Sequence, residues 1–412
     1  MSSRAWITAL LLTAATVTGH AGDDAKTGIS RPGEWRIGAE ISPAWVPGTN
    51  NFLDGANPEN KTINHRISAD LRADFSFEPY SREGRIYRDL YQGIGLGINS
   101  YSAARLLGTP ISIYAYQGAP ISRLSQRLWL GYEWQFGIAA GWKHFEEYKS
   151  EDNVAVGTPV TAHMALLFKL HYSLSERWRM SFGIGANHYS NGNTAWPNAG
   201  VNSVGAAIGM AYTIRKSDDR HSTDTDGSIR DNGITDAFGQ NDGECREADS
   251  RWFYDITAYG AWRKRVVSVG MPGEPQLCPG RFGILGLQLS PMYRTGNRIA
   301  IGAAIDIQWD ESTGLEKHWI SGTLGDNIKF ERPPFGEQLS AGISAHAELT
   351  MPIFSVNAGL GYELIAPEGE KRFYQSLTLK TFISKRIYIN TGYRLGDFKD
   401  PQNLTLGLGV RL

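Results

Sequence analysis

Residues 403–412 read NLTLGLGVRL, and the way they alternate decides the fold class. Leu404, Leu406, Leu408, Val410 and Leu412 share one parity; Thr405, Gly407, Gly409 and Arg411 share the other. Successive side chains of a β-strand point to opposite faces, so this segment has one apolar face and one small or polar face. Such a strand suits the wall between lipid and the lumen of a transmembrane barrel. A soluble sandwich strand also alternates, so the reading requires the pattern to recur.

It recurs along the chain. Leu128, Leu130, Tyr132, Trp134, Phe136, Ile138 and Trp142 are expected outside, with Gly131, Glu133, Gln135 and Gly141 inside. Ile299, Ile301, Ala303, Ile305 and Ile307 oppose Gly302, Asp306 and Gln308. Phe354, Val356, Leu360 and Tyr362 oppose Ser355, Asn357, Gly359 and Glu363. Over residues 64–77, Ile67, Leu71, Phe75 and Phe77 oppose Arg66, Asp70, Arg72 and Asp74. Charge on the lipid side is costly, so those four are expected inside, neutralising one another.

About sixteen segments obey the rule. They start near Trp35, His65, Leu90, Ile111, Leu128, Val160, Trp178, Val201, Trp252, Phe282, Ile299, Leu339, Ile353, Phe373, Ile387 and Leu404. Short connections (SERW 175–178, RTGN 294–297, TMPI 350–353, SKR 384–386) alternate with long ones (46–63, 143–158, 309–336, 365–372). Outer-membrane barrels have short periplasmic turns and long outer loops, which puts both termini in the periplasm. The expected fold is an all-β, antiparallel, up-and-down transmembrane barrel.

The polar stretch 215–251 breaks the rhythm and separates 22–214 from 252–412. Two architectures fit: one sixteen-stranded barrel with a long periplasmic loop, or two eight-stranded barrels joined by a linker. Interior glycines (Gly93, Gly95, Gly97, Gly183, Gly185) suit a narrow lumen. A single barrel is preferred, since two complete barrels in one chain are unusual. In that register Cys245 and Cys278 flank one strand at opposite barrel ends, too far apart to bridge.

The N-terminus places a basic residue (Arg4) before an apolar run, with small residues around Ala21. That run is too short for a membrane helix and reads as a signal peptide over 1–21. The net charge of −1 implies no nucleic-acid partner. Forty-seven glycines, eighteen tyrosines and twelve tryptophans suit short barrel strands.

Chemistry is concentrated in residues 186–202, ANHYSNGNTAWPNAGVN. Met180, Phe182, Ile184 and Ala186 form the lipid face of the strand, and His188 and Ser190 continue it by parity. In the next strand Asn202 shares the parity of Val204, Ala206, Ile208 and Met210. Three polar groups thus meet on the outer wall near the loop end. One reading is hydration in the headgroup layer. The other is a serine hydrolase, because residues two apart on a strand lie about 7 Å apart on one face and bring imidazole to hydroxyl. Asn191 or nearby backbone N–H groups would then stabilise an oxyanion.

HYSN followed by PNAGVN and a glycine-spaced strand resembles the PagL-type lipid A 3-O-deacylases, also called acyloxyacyl hydrolase-like outer-membrane proteins. The likeness spans residues 35–214 in layout, and the second half resembles the longer, Bacteroidetes-like members. It implies His188 as general base, Ser190 as nucleophile, Asn191 in the oxyanion hole, and lipid A in the outer leaflet as substrate. The family's third member, a glutamate, corresponds here to Asn202. An amide orients imidazole but does not stabilise imidazolium by charge, which implies slower chemistry. Phe182, Ile184, Ile208 and Met210 would carry the acyl chain, and Lys143, Lys329, Arg332 and Lys371 are candidate phosphate contacts. No metal or cofactor is implied; His163, His171 and His346 read as lumen filler, and His65 as a weak second candidate. A lipid-binding barrel without catalysis and a porin remain as alternatives.

Overall fold

The computed structural model describes residues 32–412 except 80, 147–149, 151, 216–250, 270–273, 279, 316–318, 322–328, 367–370 and 399. The expected leader over 1–21, the stretch 216–250 and Cys245 lie outside the described residues. Cys278 is buried.

Eight antiparallel strands form the first barrel: β1 (Pro32–Trp45), β2 (His65–Phe77), β3 (Tyr91–Tyr101), β4 (Gly108–Arg123), β5 (Leu128–Trp142), β6 (Val160–Ser173), β7 (Trp178–Ser190) and β8 (Val201–Arg215). The second half begins with β9 (Trp252–Arg263), followed by a small hairpin of β10 (Val266–Val269) and β11 (Glu274–Leu277). Then come β12 (Phe282–Arg294) and β13 (Ile299–Asp310), and a second small pair, β14 (Trp319–Ser321) with β15 (Lys329–Phe330). The series ends with β16 (Leu339–Thr350), β17 (Phe354–Ile365), β18 (Phe373–Phe382), β19 (Ile387–Gly396) and β20 (Asp400–Arg411).

All sixteen expected segments are barrel strands, but the preference for a single barrel is corrected. β8 returns to pair with β1, and β20 returns to pair with β9, so each set of eight closes on itself. Closure removes the sheet edges that an open half would leave unpaired. The two small hairpins inside long loops carry no barrel alternation and were invisible to that rule.

Parity holds over most of the outer walls, but Phe75, Phe77, Ile138 and Phe354, expected outside, are buried. Ile299, Ile301, Ile305 and Ile307 are exposed, as are Leu408, Val410 and Leu412, while Leu404 is buried. Among the described residues no helix is long and apolar enough to cross a membrane, which says nothing of the strands. Trp142 departs from its expected outward position. Gly141 has φ +99° and the β4–β5 register shifts beside it, so Trp142 turns inward against Tyr101 and Tyr189.

Inside, each lumen is crossed by a ring of two acids and two bases. In the first barrel Arg72 bonds Glu40 and Glu133 at 2.6 Å each, and Lys169 reaches Glu40 at 2.6 Å and Glu133 at 2.9 Å. In the second, Lys380 bonds Asp255 (2.7 Å) and Glu348 (2.6 Å), and Arg411 bonds the same two carboxylates. The β2 charges therefore do not neutralise one another as expected; their partners come mainly from other strands. Arg36 of β1 holds Asp74, and Arg66 bonds Asn99 and Tyr189. Same-face neighbours on one strand sit farther apart than partners across a narrow lumen. Interior glycines make room for tyrosines: a Cβ on Gly95 would lie 2.3 Å from the Tyr114 ring, and one on Gly409 would lie 2.1 Å from Tyr388.

Removing one member of such a ring leaves buried charge unbalanced, which costs about 3–5 kcal/mol. Glu133→Gln should lower the urea midpoint of the folded protein by that order in free energy, read by heat-modifiable gel mobility. An unchanged midpoint would deny the ring a structural role.

Candidate active site

Strand β7 carries the site because its alternation runs to its last residue. Phe182, Ile184 and Ala186 are exposed on the outer wall; His188 is half-buried and Ser190 buried at the loop end. On β8, Val204, Ala206, Ile208 and Met210 are exposed on the same wall, beyond half-buried Asn202. The β7–β8 register sets His188 directly opposite Asn202. Their side chains meet, with Nδ1 of His188 2.7 Å from Oδ1 of Asn202. An amide oxygen only accepts, so Nδ1 carries the hydrogen, and in the neutral ring Nε2 keeps a lone pair for a proton acceptor's role.

Between the two reacting candidates, Tyr189 points the other way. Its ring is buried among Trp142 and His163, and its hydroxyl accepts from Arg66 (2.8 Å) and donates to Asn99 (3.0 Å). A strand residue pinned inside fixes the direction of its neighbours outside. Sequence parity turned Tyr189 inward but did not show the Arg66 and Asn99 bonds that hold it there.

Gly200, the last residue before β8, was also missed. At φ +75°, a Cβ there would lie 3.2 Å from the His188 ring and 3.1 Å from the Tyr189 carbonyl. Its backbone is tied down by Asn50 Nδ2 (3.2 Å to its oxygen) and by the Ala155 carbonyl (2.9 Å from its nitrogen). The imidazole therefore lies beside a glycine held from two other loops.

Asn191, the expected oxyanion donor, is buried and engaged within its own loop. Its backbone N–H donates to Asn198 Oδ1 (2.9 Å), and its Nδ2 donates to the Ala195 carbonyl (3.0 Å). His163, His171 and His346 lie buried inside their barrels, and Glu40 and Glu133 are held in the lumen ring. His65 is exposed at the start of β2. Lys143 donates to the Arg105 carbonyl, Arg332 pairs with Glu311, and Lys371 pairs with Asp397; the Lys329 side chain lies outside the described residues. Among the described residues no cluster of metal-binding side chains occurs.

Comparison with known proteins divides the chain as the barrels do. Residues 69–211 match the family model "Lipid A 3-O-deacylase (PagL)", and residues 252–412 match "Acyloxyacyl hydrolase, C-terminal domain". The resemblance carried by HYSN is thereby borne out. The crystal structure of the outer membrane enzyme PagL aligns at 15% identity over 42% of this chain and 97% of its own, with a TM-score of 0.29. Neisserial surface protein A aligns at 12% identity over 43% and 96%, with a TM-score of 0.28. No curated protein matches.

The ring nitrogen that carries the proton is set by the bond its partner offers. Imidazole 15N spectra should show His188 protonated at Nδ1, and Asn202→Leu should shift it toward the Nε2–H form. Identical spectra would mean that Asn202 does not orient the ring.

Proposed function

From a chain whose first barrel matches the lipid A 3-O-deacylase family, we infer an outer-membrane esterase that removes an ester-linked 3-hydroxyacyl chain from lipid A. The observation that carries this reading is the 2.7 Å bond from His188 to Asn202 on the wall that also bears Ser190. In the proposed reaction Nε2 of His188 takes the hydroxyl proton as Ser190 Oγ attacks the ester carbonyl carbon. The carbon–oxygen ester bond then breaks, and the imidazolium returns the proton to the departing sugar oxygen. Water, activated by the same imidazole, releases the 3-hydroxy fatty acid from Ser190.

Phe182, Ile184, Ile208 and Met210 are proposed to hold the acyl chain, since they are exposed and apolar beside the site. In this reading Asn191 assists the oxyanion with the remaining hydrogen of its side-chain amide. Export by the leader over 1–21 would deliver the chain to the outer membrane.

A second reading, a lipid-binding barrel with weak or no catalysis, draws on one observation. Asn202 stands where the resembled family has a carboxylate, so imidazolium gains orientation but no charge partner. A porin is disfavoured, because paired side chains cross each lumen.

Purified protein incubated with lipopolysaccharide should release 3-hydroxy fatty acid, and Ser190→Ala and His188→Ala should each reduce release at least about 100-fold while the barrels still fold. Release that survives both substitutions would exclude this site. Asn202→Glu should raise the rate about tenfold, because a charge-assisted bond is roughly twice as strong as a neutral one. An unaltered rate would disconnect that position from the chemistry.

A further inference from the structure

Strand β8 begins beyond the reach of β1. Its pairing with β1 ends at Trp45, opposite Val204, whereas its pairing with β7 continues to Val201, opposite Tyr189. Residues 201–203 therefore overhang the end of β1, and Asn202 stands in the middle of the overhang. A strand end held along one edge opens easily unless something else ties it. The place of Asn202 opposite His188 thus calls for a tie that the β1 ladder does not supply.

The tie comes from two outer connections. In the one after β1, Asn50 donates from Nδ2 to the Gly200 carbonyl at 3.2 Å, and its Oδ1 accepts from the Leu53 N–H at 3.1 Å. In the one after β5, the Val154 and Ala155 carbonyls accept from Ala199 (3.1 Å) and Gly200 (2.9 Å). Buried Asn153 closes that second connection, donating to the Lys143 carbonyl at 2.8 Å and accepting from the Val156 N–H at 3.1 Å. Leu53 and Ile63 from the first connection share one buried apolar cluster with Ala155 and Val156 from the second, and with Tyr189 and Val201. Tyr189 follows His188 and Val201 precedes Asn202, so each member of the hydrogen-bonded pair has a chain neighbour in that cluster.

We propose that Asn50 is a positioning residue of the esterase site, a claim that rests on the reading of that site given above. By holding the Gly200 carbonyl, Asn50 does for the end of β8 what a further residue of β1 would do, and it keeps Asn202 in line with Nδ1 of His188. It acts through Gly200 and Asn202 and touches no reacting atom. A small displacement of an orienting group lowers the rate of the chemical step far more than the grip on a lipid, which the apolar wall supplies.

The test compares Asn50→Asp with Asn50→Leu in the full chain in detergent. Aspartate keeps the acceptor for the Leu53 N–H and loses the donor to Gly200; leucine loses both. With lipopolysaccharide as substrate, Asn50→Asp should lower kcat about tenfold and leave KM within about twofold, with heat-modifiable mobility retained. Its His188 imidazole 15N spectrum should move toward the Nε2–H form, in the same direction as Asn202→Leu and by less. Asn50→Leu should fall at least as far on both readouts. A wild-type kcat with a wild-type His188 spectrum in Asn50→Asp would overturn the proposal, as would a loss confined to mobility or KM. If wild type itself released no 3-hydroxy fatty acid, the esterase reading and this proposal would fail together, an outcome distinct from an active wild type matched by an equally active variant.

Discussion

A closed eight-stranded barrel has a lumen too narrow for water to solvate charge freely, so every ionised group inside must find a partner across it. Both barrels meet that constraint alike, with one lysine, one arginine and two carboxylates in a closed ring. In the first barrel the members come from β1, β2, β5 and β6, on opposite sides of the strand order. The ring thus works as a cross-brace as well as a charge balance. With interior positions committed, alternate positions are left to face outward, and the outer wall inherits its chemistry by parity.

The candidate site follows from a second interior anchor. Tyr189 is pinned in the lumen by Arg66 and Asn99, which leaves His188 and Ser190 on the outer side of the same strand. Registration of β7 on β8 then sets Asn202 opposite the imidazole. Gly200, clamped from two other loops, leaves space for the ring. The interior anchor and the exterior candidate site occupy alternate residues of one strand. A lipid substrate would reach this wall from the membrane without entering a pore.

Much of this was legible in the sequence because alternation is a strong signal: all sixteen barrel strands were located from it, and so was the shared face of His188 and Asn202. What was not legible depended on closure or on local breaks in the period. The return of β8 to β1 is a long-range pairing that no segment announces, so the number of barrels could not be read from alternation. Trp142 failed because Gly141, at φ +99°, interrupts the period just before it. The partners of Arg66 and Arg72 failed because they come from other strands, Asn99 and Tyr189 for the first and Glu40 and Glu133 for the second.

The central claim is that His188, oriented by Asn202, makes Ser190 nucleophilic on the outer wall. Its most direct test is covalent labelling of the folded protein in detergent with a long-chain alkyl fluorophosphonate, followed by peptide mapping. The account predicts a phosphonyl adduct on Ser190, lost in His188→Ala. An unlabelled Ser190 in wild type, or labelling that persists without His188, would contradict it.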